Sequence, residues 1–215
     1  MEDRTNDQRV KTVVFDLYGV IYTHRADGDV QKSDEVEERF WQEHCPEEWK
    51  TYKSTGNVVP LLEKEEEIFL NTTPDEKCIL PVFGCYQAPE FARHVRRQGR
   101  EMVVFSNMLP KATGRLFSYV TGVGIDDAYC KCAADFGPKK DPESWRKMFQ
   151  TLPVDASIDL VLEDGEKNLL AAIEAGRSLG HETVGYKPAT CPFGFVGSKG
   201  FYIGYFREAA AELLK

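Results

Sequence analysis

The 215-residue sequence contains no run of 18 apolar residues, so no helix long and greasy enough to span a bilayer is expected. It lacks paired CxxC clusters too. The six cysteines are scattered, and the one close pair, Cys130 and Cys132, has no histidine nearby to complete a zinc set. The four histidines (His24, His44, His94 and His181) fall at spacings that suit no ligand pair. Basic charge is in deficit: 27 Lys+Arg against 35 Asp+Glu gives −8 at pH 7, which disfavours nucleic-acid backbones and acidic membrane surfaces as partners. The polar start, MEDRTNDQRV, carries no apolar core of a signal peptide, and the expectation is a cytoplasmic protein with reduced thiols. Low-complexity tracts and internal repeats are missing as well. With 42% hydrophobic and 29% charged residues, the composition excludes a disordered chain, a collagen-like repeat and a coiled coil.

What is present is a series of short apolar runs separated by helical patterns. Thr12 to Asp16, Met102 to Ser106 and Ile158 to Asp164 are rich in β-branched residues and read as buried strands, with a weaker fourth at Thr183 to Tyr186. Ala88 to Gln98 places Phe91, Ala92 and Val95 on one helical face, and Gly99 suits its C-terminal stop. Asn168 to Ala175 (NLLAAIEA) is a second good helix former, followed by Gly176. Strands alternating with helices argue for an α/β fold with a Rossmann-like parallel sheet. In such sheets ligands bind beyond the carboxyl ends of the strands. Asp16, Ser106 with Asn107, and Glu163 with Asp164 all sit at those ends.

The segment from Thr23 to Gly84 is different. It is dense in acid (SDEVEERFWQEH, LLEKEEEIFL), has helical spacing, and carries the aromatic anchors Phe40, Trp41, Trp49 and Phe69. About sixty residues is far longer than an ordinary βα connection. It is expected to be an all-helical insert with its acids on solvated faces. The predicted division is a core of residues 8–23 and 85–215 and a helical cap of residues 24–84. The basic run Arg93, Arg96, Arg97 and Arg100 falls at a helix C-terminus, where cations offset the dipole. Cys130 and Cys132 are expected in or beside a core strand. The glycine- and aromatic-rich tail, Cys191 to Phe206, suggests a turn or hairpin before a last helix, REAAAELLK.

Four short stretches in this order resemble the motifs of the haloacid dehalogenase (HAD) superfamily, over about residues 12 to 187. They are Phe15-Asp16-Leu17-Tyr18-Gly19-Val20, then Phe105-Ser106-Asn107, then Gly137-Pro138-Lys139-Lys140-Asp141-Pro142, and Leu162-Glu163-Asp164-Gly165. The resemblance implies a Rossmann-like core with an inserted helical cap of the C1 type. It implies Asp16 as nucleophile, Lys139 rather than Lys140 as the charge-balancing cation, and Ser106 with the Asn107 amide as phosphate ligands. Mg²⁺ would be held by Asp16, Asp164 and Glu163. The implied activity is a Mg²⁺-dependent phosphatase or phosphotransferase acting on a small phosphorylated metabolite, as a monomer or homodimer with no nucleic-acid or membrane partner.

One position departs from the pattern. Where phosphatases of this superfamily carry a second Asp as general acid/base, this sequence has Tyr18. A phenol with an ordinary pKa near 10 can donate a proton but is a poor base near neutral pH. The same Asp-x-Tyr-Gly pattern, with Ser106-Asn107-x-x-Pro110, is similar to the metal-free 2-haloacid dehalogenases, so C–X bond hydrolysis is an alternative. A pseudoenzyme that retains the phosphate pocket is another. The Glu163-Asp164 pair weighs toward the metal-dependent reading, because two adjacent acids at a buried strand end need a compensating cation.

Overall fold

A computed structural model describes residues 9–26, 29–31, 33–71, 82–84, 87–188, 196–198 and 201–204. The elements in chain order are β1 (Val10–Phe15), β2 (Tyr22–Ala26), β3 (Asp29–Gln31), α1 (Ser33–His44), α2 (Pro46–Thr55), α3 (Val59–Asn71) and β4 (Val82–Gly84). After these come α4 (Ala88–Arg97), β5 (Glu101–Ser106), α5 (Pro110–Thr121), β6 (Cys130–Cys132), α6 (Ala133–Phe136) and α7 (Pro142–Phe149). The chain continues with β7 (Ala156–Leu162), α8 (Glu166–Ser178), β8 (Val184–Pro188), β9 (Val196–Ser198) and β10 (Phe201–Gly204).

β1 is an interior strand of the main sheet, and its run of Val13, Val14 and Phe15 is fully buried on both faces. The strand order is β6-β5-β1-β7-β8-β10-β9, and every pairing is parallel except the terminal β10–β9 pair. Alternate residues feed two layers. Val13 and Phe15 pack with Phe91 and Val95 of α4 and Leu116 and Phe117 of α5. Val14 packs with Trp145 and Met148 of α7 and Leu169 and Ile173 of α8. Burying each Leu- or Phe-sized side chain contributes about 1.5–3 kcal/mol, so these two layers supply most of the driving force for folding. The β1–β7 register shifts between Thr12 and Val13, because Thr12 is opposite Ile158 whereas Val13 is opposite Leu160. Asp159 is the extra residue, and it pairs with Arg100 at 2.8 Å.

The four strands read from sequence are present, each displaced by one to two residues. The helix from Ala88 ends at Arg97 with Gly99 at φ +68°, as its sequence suggests. Two boundaries differ. α8 runs from Glu166 through Gly176 to Ser178, since Gly176 is there for clearance: a Cβ would collide with Thr183, whose own Cβ lies 2.7 Å from that point. Of the basic run, Arg93 donates to the Thr121 carbonyl at the end of α5, and Arg100 lies beyond the helix in its pair with Asp159, so these cations serve neighbouring elements as well as their own helix. The expected hairpin in the tail is β9–β10; the last helix, REAAAELLK, lies outside the described residues.

The insert is not all-helical. β2, β3 and β4 form a small antiparallel sheet, with β2 between the other two, on either side of α1–α3 in the chain. The β-branched and aromatic residues of YTHRA and VFG at its two ends carried that signal. The three helices enclose a core of their own, Phe40, Cys45 and Leu61, with Trp41, Trp49, Tyr52, Ile68 and Phe69 against it. Pro46 opens α2, and Gly56 closes it in the left-handed region at φ +74°. The unit docks through α3. Glu66 accepts from the backbone N–H groups of Lys111 (2.9 Å) and Ala112 (3.1 Å), and so caps α5, whose own N-cap residue, Leu109, has no capping side chain. No described helix is long and apolar enough to cross a membrane.

Candidate active site

β1 and β7 run side by side, with Phe15 opposite Leu162, so the residues that follow each of them emerge together. Asp16 extends the ladder by one bond, its N–H donating to the Leu162 carbonyl at 2.8 Å. The chain then turns sharply at Gly19, where φ is +73° and where a Cβ would lie 2.6 Å from the Asp164 carboxyl carbon. Only glycine lets the turn after β1 approach Asp164 this closely. One carboxylate oxygen from each of Asp16, Glu163 and Asp164 can be chosen so that all lie within 4.8 Å of one another.

Lys139 completes the group. Its ammonium is 2.8 Å from Asp16 Oδ1 and 2.6 Å from Glu163 Oε2. The segment between α6 and α7 delivers it, and the Trp145 indole N–H donates to the Lys139 carbonyl at 2.5 Å. The ammonium also lies 5.5 Å from the Phe105 ring centre and 5.7 Å from that of Trp145, so its approach is lined by aromatic faces. Lys139 is buried and Lys140 is exposed, which separates the two candidates of the sequence.

Three carboxylates facing one ammonium are out of balance. Burial, reinforced by Glu163, holds the Asp16 carboxyl well above its ordinary range despite Lys139. Burial, with a hydrogen bond and charge from Glu163, pushes Asp164 up to about 7. At Glu163 burial acts upward, but Lys139 and the hydrogen bond from Asp164 prevail and hold it low. At Lys139 burial acts downward and is outweighed by Asp16 and Glu163, so its ammonium is held more firmly than usual. Of the two, Asp164 is thus the acid that keeps its proton more firmly, hydrogen-bonded to Glu163, the ordinary outcome when two acids meet without enough cation. A divalent ion that prefers oxygen ligands fits this donor set, because it can replace that proton and answer the excess charge.

Ser106, at the end of β5, is buried. Its hydroxyl is engaged with Thr113 Oγ1 (2.9 Å) and accepts from the Met108 N–H (2.9 Å). Asn107 is exposed, and its carbonyl accepts from the Cys132 thiol at 3.6 Å. The structure therefore brings Asp16, Lys139, Glu163 and Asp164 into one group and puts Ser106 and Asn107 on the neighbouring strand end. Tyr18 is half-buried and packs edge-on against Tyr22, with ring centres 5.7 Å apart at 85°.

Sequence reasoning missed Thr113 and Cys132, which support the Ser106–Asn107 turn. It also misjudged Glu65: expected on a solvated face, it is 3% exposed. The signal was available, since Glu65 shares the helical stripe of Leu61, Leu62, Ile68 and Phe69.

No protein-family model matches this sequence, and no curated protein matches it. Solved structures do. The chain is similar to CbbY from Rhodobacter sphaeroides in complex with phosphate, with a TM-score of 0.57 and 12% identity over 95% of this chain and 99% of that one. It is also similar to a dehalogenase solved as an intermediate complex, with a TM-score of 0.54 and 15% identity over 97% and 99%. Sheet order, the inserted helical unit and these matches define an α/β protein of Rossmann-like type. The chain shares the fold of these two proteins.

Proposed function

We propose that this protein is a hydrolase or phosphotransferase that moves a phosphoryl group from a small phosphorylated metabolite through an aspartyl phosphate, a mixed anhydride on Asp16. One observation carries the reading: three buried or half-buried carboxylates converge with a single ammonium at the ends of β1 and β7. A phosphate dianion cannot approach Asp16 unless positive charge is there first. Asp16, Asp164 and Glu163 would hold a Mg²⁺ ion, whose contribution is to offset the negative charge shared by nucleophile and phosphoryl group. Lys139 and the Mg²⁺ ion together would favour the ionised, attacking state of Asp16, which Lys139 alone does not secure against burial, and Lys139 would stabilise charge on the phosphoryl oxygens. Ser106 and the Asn107 N–H bind the remaining oxygens; to do so the Ser106 hydroxyl exchanges one of its present partners for phosphate.

Residues 24–84 act as the cap over this site, with residues 8–23 and 85–215 as the core, and close on it through α3. The reaction is cytoplasmic in this reading. A panel of phosphorylated metabolites tests it by phosphate release with and without Mg²⁺. Release that needs Mg²⁺ and is abolished by Asp16→Asn is expected, and turnover that survives either change refutes the reading. Tyr18 favours a second reading, hydrolysis of a C–X bond with Asp16 attacking carbon. Metal-independent halide release from 2-haloacids is its signature, and the paired acids Glu163 and Asp164 weigh against it.

A further inference from the structure

Ser106 carries one proton, and several neighbours compete for its oxygen and for that proton. The Met108 N–H donates to Ser106 Oγ at 2.9 Å, and Thr113 Oγ1 lies 2.9 Å from the same atom. The Met108 carbonyl is within reach of both hydroxyls, 3.3 Å from Thr113 and 3.4 Å from Ser106. Thr113 comes from the first turn of α5 and is fully buried. A helical threonine ordinarily turns its hydroxyl back to a carbonyl three or four residues earlier. Thr121, buried on the same helix, does so, donating to the Phe117 carbonyl at 2.7 Å. Thr113 does not. Its hydroxyl contacts leave α5 for the Ser106 turn, while the Leu109 carbonyl four residues back receives the Thr113 N–H at 2.9 Å.

The two hydroxyl protons can be shared in two ways without setting lone pair against lone pair across the 2.9 Å contact. In the first, Thr113 donates to the Met108 carbonyl and Ser106 donates to Thr113. Ser106 then has no proton for a ligand and keeps an unfilled lone pair. In the second, Thr113 donates to Ser106, whose oxygen now accepts from both Thr113 and the Met108 N–H. The Ser106 proton is left to the Met108 carbonyl at 3.4 Å, the longest contact of the four and the easiest to give up. An anion is repelled by the first arrangement and selects the second.

Resting on the phosphotransfer reading above, we propose that Thr113 is a positioning residue for phosphate: its hydroxyl donates to Ser106 and so orients and polarises the Ser106 O–H toward a phosphoryl oxygen. β1 and β5 pair Phe15 with Val104, so Ser106 lies two residues beyond that pair, at the same edge of the sheet as Asp16. A hydroxyl whose oxygen accepts two hydrogen bonds is a better donor, because bonds in a chain strengthen one another where water is excluded. Thr113 touches no substrate atom in this arrangement; it acts through Ser106.

Binding of inorganic phosphate in saturating Mg²⁺, read by titration calorimetry, tests the assignment. The proteins compared are wild type, Thr113→Val, Thr113→Ser, Ser106→Ala, the double variant of Ser106→Ala with Thr113→Val, and the control Thr121→Val. Valine keeps the branched shape and removes the donor. Thr113→Val is expected to weaken phosphate binding about 5-fold, with most of the loss recovered in Thr113→Ser and none seen in Thr121→Val. On the Ser106→Ala background Thr113→Val should cost nothing further, because the proton that it orients is gone. Tighter binding in Thr113→Val overturns the assignment, since Thr113 would then be withholding the Ser106 proton. Unchanged binding overturns it too, as does a loss of equal size with and without the Ser106 hydroxyl, the mark of a merely structural role. If Thr113→Val does not fold, Thr113→Cys, whose thiol is a weak donor, is read in the same way. A wild type that binds no phosphate overturns this inference; one that also releases none from phosphorylated metabolites overturns the phosphotransfer reading as well.

Discussion

Among the described residues, buried carboxylates lie in two places, which differ in one component. At the strand ends, Asp16, Glu163 and Asp164 share Lys139. In the insert, Glu65 lies near Glu37 with no ion pair to it among the described residues. The same residue types in similar burial reach opposite states. Beside the ammonium, Glu163 is held as the anion; away from it, Glu65 keeps its proton to about pH 8. The lesson is that a cation can outweigh burial at one acid, Glu163, while burial and a neighbouring carboxylate still prevail at Asp16 beside the same ammonium.

Removing the cation should produce the largest effect. Lys139→Met takes from Asp16 and Glu163 the ammonium they pair with, and about 3–5 kcal/mol of stability should be lost in denaturant melts. Phosphate release should fall by about 10²–10³-fold. Stability retained in Lys139→Met would show that the two groups are not distinguished by the lysine. The second effect concerns Glu65 and pH. Its folded pKa is raised above the unfolded value, so the folded state binds the extra proton between about 4.5 and about 8. Stability from this group accordingly falls as pH rises through that window, by up to about 1.4 kcal/mol per unit, and is flat above it. Glu65→Gln should flatten this dependence, so thermal melts at pH 5 and pH 9 should lie closer together than in wild type.

A smaller effect is expected at Gly19. Gly19→Ala forces a Cβ onto the Asp164 carboxyl in a left-handed turn, costing about 1–2 kcal/mol for the backbone conformation. It should also raise the Mg²⁺ concentration needed for half-maximal turnover, because Asp164 must move. The smallest concerns Trp145→Phe, which removes the donor to the Lys139 carbonyl while keeping most of the packing against Phe105. A loss of about 1 kcal/mol is expected, with kcat reduced more than KM is changed.

The core was legible because buried parallel strands write continuous β-branched runs, and because acids at their ends have no reason to be there except chemistry or capping. Asp16, Glu163 and Asp164 could be picked out on that logic, whereas Lys139, between α6 and α7, was implied only by the resemblance of Gly137-Pro138-Lys139 to a known motif. The small sheet of β2, β3 and β4 was not, since its strands are three to five residues long and two of them are separated from β4 by the helices. Glu65 was hidden by its neighbours: in LLEKEEEIFL a single buried acid looks like the solvated ones on either side, and only the position of Leu61, Leu62 and Ile68 tells it apart. Ser106 was placed at the right strand end, but its hydrogen bonds to Thr113 and Met108 depend on α5 folding back over it.

The extra residue in β7 has a consequence for parity. Ile158 packs in the layer of α7 and α8, while Leu160, two residues on, packs in the layer of α4 and α5. In an unbroken strand both would point the same way. Asp159 therefore inverts the phase of everything after it, and Glu163 and Asp164 inherit the inverted phase. Loss of that one codon would keep the composition of the strand end nearly intact while exchanging the directions in which its two acids look. The site is thus keyed to a count, odd or even, made several residues before it, and Arg100 is the residue that holds the tally in place.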